Sequence, residues 1–263
     1  MFLFKKKYPG SKKPKEVKAQ VIAVWSPPGN NTTKFSLELA RELAKHTRIL
    51  LVELPCLGIP RLGFTANIME RDNHTEALIL ELDKKGEINL DRAPRMGDSL
   101  TVLAASVFAF PDYPVSHKVE LETLIGFPAE VVNRALQDGY SIVVFDCQGQ
   151  VTTPMTHFAL KHADRVFIPV TEHGGLAFSL LNVKRLVQVF KYGAEKFKLL
   201  ARENVETIAE VAVIKDEEGR EACRLDVLNE NSREIAQELL AATQEDTGAV
   251  ALTEEEDGII IRL

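Results

Sequence analysis

Five short apolar runs, separated by stretches of helical periodicity, constrain the fold of this chain more than any other feature. The runs are continuous rather than alternating, as strands covered on both faces require. They read QVIAVW (20–25), RILLVEL (48–54), SLTVLAAS (99–106), YSIVVFD (140–146) and DRVFIPV (164–170). Helical patterns occur at 33–45, 75–84, 128–138 and 174–190. This alternation predicts an α/β fold, a mostly parallel sheet with helices on both faces.

The predicted sheet accounts for most of a single domain. Residues 1–18 are interpreted as a basic N-terminal tail, residues 19–203 as the α/β domain, and residues 204–263 as a small α+β extension that completes or flanks it. Within the extension we expect a hairpin around DEEG over residues 204–226, a helix over 231–243, and two terminal strands, GAVAL and GIIIRL.

The distribution of charge limits the classes of partner. The formal net charge of −6 disfavours a surface that generally binds nucleic acid, although a local basic patch stays open. The lysines are concentrated in residues 1–18. This segment has two interpretations: it is a solvated tail, or it contacts an anionic membrane surface. No apolar run approaches the roughly 20 residues needed to span a bilayer. The expected localisation is therefore cytoplasmic, with peripheral contact at the inner face of the membrane as the alternative.

One stretch has the outline of a phosphate-binding loop. VIAVWSPPGNNTTKFSLELARELA (21–44) joins an apolar strand, a turn with Gly29, and an amphipathic helix. Such a loop works because backbone N–H groups at a helix N-terminus attract an anion, a Lys neutralises phosphate charge, and a hydroxyl holds magnesium. The candidate binding residues are Gly29, Asn30, Asn31, Thr32, Thr33 and Lys34. The alternative is structural, with Gly29 as a turn residue and Thr32 as a helix N-cap.

These pieces resemble the deviant P-loop ATPases of the ParA/MinD type, whose loop typically reads S-P-K-G-G-V-G-K-T-T. Placed without gaps, Pro28 stands at the signature Lys, Thr33 at the P-loop Lys and Lys34 at the magnesium-binding Thr. Within the family, the degenerate loop is most similar to the TadZ/CpaE branch that places pilus-assembly machinery. The resemblance to that branch covers its ATPase-like domain, and no segment of residues 1–263 resembles the receiver-like domain that is usual for the branch.

Two further segments carry the resemblance. RILLVELPCLG is similar to the family's VLLVDLDPQG, which puts Glu53 at the first switch Asp and Pro55 at the second. SIVVFDCQGQ is similar to its Walker B strand, which puts Asp146 at the magnesium-facing Asp and Gly149 at the Gly that senses the γ phosphate. Asp146 could equally be a strand-end carboxylate that caps a neighbouring loop.

The resemblance implies ATP or ADP and Mg²⁺ as cofactors, and it implies Asp146 as the metal ligand. The altered loop predicts at most a weak ATPase, with a pseudo-ATPase favoured, acting as a positioning or assembly factor in pilus or secretion machinery. Two alternatives stay open: a partition ATPase that binds DNA non-specifically, and an active ATPase that uses Lys34.

The segment 174–190 is apolar around most of its circumference. A helix of this kind is either buried in the core or covered by another chain. The sequence therefore predicts either a core helix or a contact with a protein partner, including a second copy of the chain, through this region.

Overall fold

The computed structural model describes residues 19–29, 32–55, 60–69, 71–108, 115–147, 149–170 and 173–247. Its main feature is a seven-stranded sheet in which every pairing is parallel. The strand order is β3-β2-β4-β1-β5-β6-β9. The strands are β1 (Gln20–Trp25), β2 (Ile49–Glu53), β3 (Leu100–Leu103), β4 (Ile142–Cys147), β5 (Arg165–Val170), β6 (Phe197–Ala201) and β9 (Asp226–Asn229). A separate two-stranded antiparallel hairpin pairs β7 (Val213–Lys215) with β8 (Glu221–Arg224).

Eight α-helices are described, and they cover the sheet on both faces. They are α1 (Thr32–Ala44), α2 (Leu62–Ala66), α3 (Thr75–Lys85), α4 (Leu121–Gln137), α5 (Pro154–His162), α6 (His173–Gln188), α7 (Val205–Val211) and α8 (Ser232–Thr247). The apolar residues of α1, α2 and α8 share one hydrophobic cluster, and those of α3, α4, α5 and α6 share the other.

The two clusters explain why the strand sequences are continuously apolar. In β1, Val21 and Ala23 belong to one cluster, whereas Ile22 and Val24 belong to the other. Successive side chains of a strand point to opposite faces. Both faces are buried here, so every position along the strand has to be apolar.

The predicted fold class is confirmed. The predicted runs at 20–25, 48–54, 140–146 and 164–170 correspond to β1, β2, β4 and β5 within two residues at each end. The third run is a shorter strand than expected, Leu100–Leu103. Helix α4 begins seven residues earlier than the predicted 128, with Pro128 buried inside it.

The C-terminal part differs in detail from the sequence-based expectation. The hairpin around Gly219 is present, but residues 205–211 preceding it form helix α7 instead of a strand. Strand β9 pairs with β6 and so extends the main sheet. The predicted helix is present as α8, and Asn231 caps it, because its Oδ1 accepts the backbone N–H of Arg233 at 3.1 Å. The tail 1–18 and both predicted terminal strands lie outside the described residues.

Two strands were not predicted, β6 and β9. FKLLA and DVLN are short, and each carries a charged residue.

In the described part of the chain, no helix combines the length and apolar composition needed to span a bilayer.

Candidate functional site

The carboxyl ends of β1, β2 and β4 meet at one edge of the sheet. Strand β1 lies between β4 and β5, and β2 lies on the far side of β4. Strands β2, β3 and β4 therefore all lie on one side of β1 within the sheet. The connection from β4 to β5 then takes the chain to the other side of β1. Ligands of open α/β sheets bind outside the carboxyl ends of strands where the strand order reverses in this way.

The segment after β1 makes a tight turn into α1. The backbone N–H of Gly29 donates to the carbonyl of Ser26 at 2.8 Å, and Gly29 has φ of +81°, which is readily available only to glycine. Helix α1 then begins at Thr32. The first four N–H groups of a helix have no partner within the helix, and the helix dipole adds positive potential there. Asn30 and Asn31 lie outside the described residues.

Buried polar groups gather beneath this helix start. Thr32, Thr33, Ser36 and Asp146 are all buried. The Ser36 hydroxyl donates to Asp146 Oδ1 at 3.4 Å, whereas Asp146 Oδ2 and Thr33 Oγ1 have no hydrogen-bond partner among the described residues. Burial raises the pKa of Asp146 to about 6, and the hydroxyl groups of Thr33, Thr32 and Ser36 and the charge of Arg61 oppose that rise. An unpartnered buried oxygen is costly, and a ligand bound at the start of α1 would give both of these oxygens a partner.

Glu53 occupies a different environment at the same edge. Its Oε1 accepts the backbone N–H groups of Arg61 at 2.7 Å and Leu62 at 3.2 Å, and its Oε2 accepts that of Ala105 at 3.0 Å. Burial and the neighbouring charge of Asp146 raise the pKa of Glu53 to about 7, and these hydrogen bonds oppose the rise. Both carboxyl oxygens are therefore engaged in holding α2 and the segment after β3.

The loop after β4 approaches the turn after β1 closely. The indole N–H of Trp25 donates to the carbonyl of Gly149 at 3.1 Å. A Cβ added at Gly149 would lie 3.2 Å from the carbonyl oxygen of Pro27. Gly149 therefore lies beside the turn that contains Gly29, and a side chain at this position would require the turn or the loop to shift slightly.

Lys34 lies apart from this cluster. Its side chain is 62% exposed, and its Nζ lies 3.8 Å from Glu38 Oε1 one turn along α1. The structure thus brings together Gly29, Thr32, Thr33, Asp146 and Gly149, with Glu53 on the adjacent strand, and leaves Lys34 at the surface.

Three contributors to the site were missed in the sequence: Trp25, Ser36 and Arg61. Ser36 follows Thr32 and Thr33 by one helical turn, so its spacing could have indicated that it faces the same strand. Arg61 had no such signal. Its guanidinium Nη1 donates to the carbonyl of Gly29 at 2.8 Å, a contact that spans 32 positions in sequence.

The oxygen chemistry of the cluster suits a hard cation. No group of three or more His, Cys, Asp or Glu side chains within the described ranges could hold a metal by itself. Magnesium, however, is usually held by one or two carboxylates together with water and the phosphates of a ligand. The free Oδ2 of Asp146 and the Thr33 hydroxyl fit that requirement.

Several solved structures share this architecture, among them a ParA family ATPase and MinD proteins. A ParA family ATPase from Chlorobium tepidum TLS matches with a TM-score of 0.57 at 14% identity, covering 86% of this chain and 91% of that one. The septum site-determining protein MinD complexed with Mg-ADP, from Pyrococcus horikoshii OT3, matches with a TM-score of 0.55 at 17% identity, covering 84% and 86%. The MinC:MinD cell division protein complex of Aquifex aeolicus matches with a TM-score of 0.55 at 16% identity, covering 93% and 99%.

No protein-family model matches the sequence, and no curated protein is significantly similar to it. At these identities the structural matches establish the fold. The chain has the fold of the ParA/MinD ATPases, as the sequence resemblance predicted, and its candidate site lies at the edge where the first, second and fourth strands end.

Proposed function

We propose that this protein is a positioning or assembly factor of the ParA/MinD type whose degenerate site binds ATP or ADP weakly and hydrolyses ATP slowly or not at all. The observation that carries the proposal is the pair of unpartnered buried oxygens, Asp146 Oδ2 and Thr33 Oγ1, beneath the N-terminus of α1. A phosphate group with magnesium would satisfy both oxygens and the free N–H groups of the helix.

In this proposal Asp146 and the hydroxyl of Thr33 hold the magnesium ion, and the backbone N–H groups at the start of α1, those of Thr32 and Thr33, hold the phosphates. A magnesium ion supplies positive charge that neutralises the phosphate oxygens. The Mg-ADP complex of the MinD that shares this fold supports the choice of ligand. Gly149 keeps the loop after β4 near the phosphates.

Weak hydrolysis follows from two features of the site. Phosphoryl transfer in P-loop proteins depends on positioned charge around the transferred group, and Thr33 offers no charge while Lys34 is directed to the surface. Glu53 is the second feature. Because both of its oxygens accept backbone N–H groups, it is poorly placed to orient an attacking water.

Turnover measurements on the protein and on the variant Lys34→Ala test this account. We expect phosphate release from ATP to be near background for both proteins, because Thr33 offers no charge and Lys34 is directed to the surface. A turnover of the unmodified protein well above background, which Lys34→Ala abolishes, would contradict the proposal.

We further propose that α6 carries the contact with a partner protein, a second copy of the chain being the first candidate. Helix α6 is only partly buried. We call its outer surface, together with the two residues that follow the helix, the α6 face. The exposed large apolar residues of this face are Phe178 and Leu181 on the helix and Val189 and Phe190 directly after it. Exposed apolar groups of this kind mark interaction sites. The MinC:MinD complex, whose fold matches over 93% of this chain, supports the expectation of a protein partner.

The cellular role that we propose is localisation of pilus or secretion machinery, the role of the TadZ/CpaE branch to which the loop sequence is most similar. In that role the protein is cytoplasmic and works at the inner face of the membrane. The lysine-rich residues 1–18 would supply the contact with anionic lipid.

A further inference from the structure

The candidate site has two buried carboxyl groups, and Lys34, the lysine predicted for this site, is directed to the surface. Glu53 and Asp146 are register partners on β2 and β4, so their carboxyl groups lie at the same edge of the sheet. A ligand that carries two or three phosphates would add further negative charge there. The proposed nucleotide site therefore needs a protein cation in addition to the metal ion.

Arg61 is the arginine that the fold brings to this place. Its Nη1 donates to the carbonyl of Gly29, in the turn that precedes α1, at 2.8 Å. Its positive charge also acts on Asp146, whose pKa it lowers. The guanidinium thus lies beside the turn after β1, near enough to Asp146 for its charge to act on that carboxyl group.

The backbone of Arg61 is fixed by the same site. Its N–H donates to Glu53 Oε1 at 2.7 Å, and the N–H of the next residue, Leu62, donates to the same oxygen. Glu53 is buried, so this anchor is shielded from water. The side chain itself is exposed and can meet a ligand.

The chemistry of the side chain suits phosphate. A guanidinium has five N–H donors in a fixed planar arrangement, and the described contact with Gly29 uses one of them. The remaining donors can form paired hydrogen bonds to phosphate oxygens, which a lysine cannot do.

We propose that Arg61 binds the terminal phosphates of the nucleotide and supplies the cation that the loop before α1 lacks. The inference rests on the proposed nucleotide site and adds a specific residue to it. Arg61 comes from the segment after β2, so phosphate binding would join that segment to the turn after β1.

Equilibrium binding of a fluorescent ADP derivative in the presence of Mg²⁺ tests the inference on the full chain. The variants are Arg61→Ala and Arg61→Lys, and Arg41→Ala, an exposed arginine near the far end of α1, is the matched control. We expect Arg61→Ala to weaken binding about 10- to 100-fold, as the loss of charge-assisted hydrogen bonds implies. Arg61→Lys should recover part of the loss, and the control should bind as the unmodified protein does.

Competition with pyrophosphate and with adenosine shows which part of the ligand Arg61 contacts. We expect Arg61→Ala to weaken competition by pyrophosphate by the same factor as binding of ADP, and to leave competition by adenosine unchanged. Equal ADP binding by the unmodified protein and Arg61→Ala would overturn the inference and leave the nucleotide site standing. So would a loss confined to adenosine. An unmodified protein that binds no nucleotide would overturn the proposed function and this inference together.

Discussion

Glu53 and Asp146 are register partners at the ends of two adjacent parallel strands, and both are fully buried. Two carboxyl groups in this position disfavour each other's ionisation, and burial disfavours the ionisation of each. Glu53 is partly compensated by three backbone N–H groups, whereas Asp146 keeps one oxygen without a partner. The pair is therefore a source of instability in the free protein and a place where a cation is attracted.

The first prediction concerns the pH dependence of stability. The pKa of Glu53 rises from 4.5 to about 7 on folding, and that of Asp146 from 3.8 to about 6. Between about pH 4 and pH 7 the folded state therefore binds more protons than the unfolded state. The contribution of these two protonated carboxyl groups to the free energy of unfolding is full below about pH 4 and is lost as the pH rises toward about 7. We expect the Glu53→Gln variant to lose less free energy of unfolding than the unmodified protein between pH 5 and pH 8.

The size of that difference is on the order of 1–3 kcal/mol, because one pKa unit corresponds to about 1.4 kcal/mol. Chemical denaturation at several pH values measures it. An identical dependence on pH in the two proteins would show that Glu53 does not take up a proton on folding.

The second prediction separates stability from binding at Asp146. Asp146→Asn removes a buried charge whose Oδ2 has no described partner. We expect the variant to gain roughly 1–2 kcal/mol of stability at pH 8, and to lose the dependence of nucleotide binding on Mg²⁺. Denaturation and nucleotide titration, each with and without Mg²⁺, provide the two measurements. A destabilised variant that still binds Mg-nucleotide would mean that the carboxyl group has a structural role instead.

The third prediction concerns the approach of Gly149 to the turn after β1. Gly149→Ala places a methyl group 3.2 Å from the carbonyl oxygen of Pro27, so the turn or the loop has to shift. We expect a loss of about 1 kcal/mol of stability, as overpacking typically costs, together with weaker nucleotide binding.

Gly126→Ala is the matched control, because a Cβ at Gly126 meets nothing within 4 Å and the residue lies inside α4. That variant should gain about 0.5–1 kcal/mol from the helix preference for alanine. Thermal unfolding and nucleotide titration of both variants check the pair. Nucleotide affinity that Gly149→Ala leaves intact would place this glycine outside the binding site.

The fourth prediction tests the α6 face. Leu181 is 63% exposed on it, and Leu121 at the start of α4 is 54% exposed elsewhere. If a second copy of the chain covers the α6 face, Leu181→Glu should reduce the dimer fraction in light scattering after size exclusion, since a buried charge disrupts an apolar interface. Leu121→Glu should leave the distribution unchanged. Equal effects of the two substitutions, or a monomer at all concentrations, would contradict a dimer formed through this surface.

Sequence patterns were sufficient for the central strands because those strands are buried on both faces. The residues of β1 supply both hydrophobic clusters, so continuous apolarity gives an unambiguous signal. Strand β6 carries Lys198 between apolar residues, and β9 begins with Asp226. Their strand character comes from pairing with a neighbour, which is information from the tertiary structure.

The candidate site was only partly predictable for a related reason. Gly29, Thr33 and Asp146 follow from the order of strand, turn and helix, because parallel strands bring their carboxyl ends to one edge. The contact of Arg61 with Gly29 depends on the path of the chain between β2 and α2, for which the sequence has no periodic signal. The exposure of Lys34 likewise depends on the rotation of α1 over the sheet, which brings Thr33 and Ser36 toward β4 instead.

Calorimetric titration of the protein with ADP and with a non-hydrolysable ATP analogue, each with and without Mg²⁺, tests the central claim most directly. The account predicts weak nucleotide binding that requires Mg²⁺, because the ion would bind the unpartnered oxygen of Asp146 and neutralise the charge of the phosphates. Binding that is absent at millimolar nucleotide, with and without the metal, would contradict it and would mean that the chain keeps the ParA/MinD fold without its ligand.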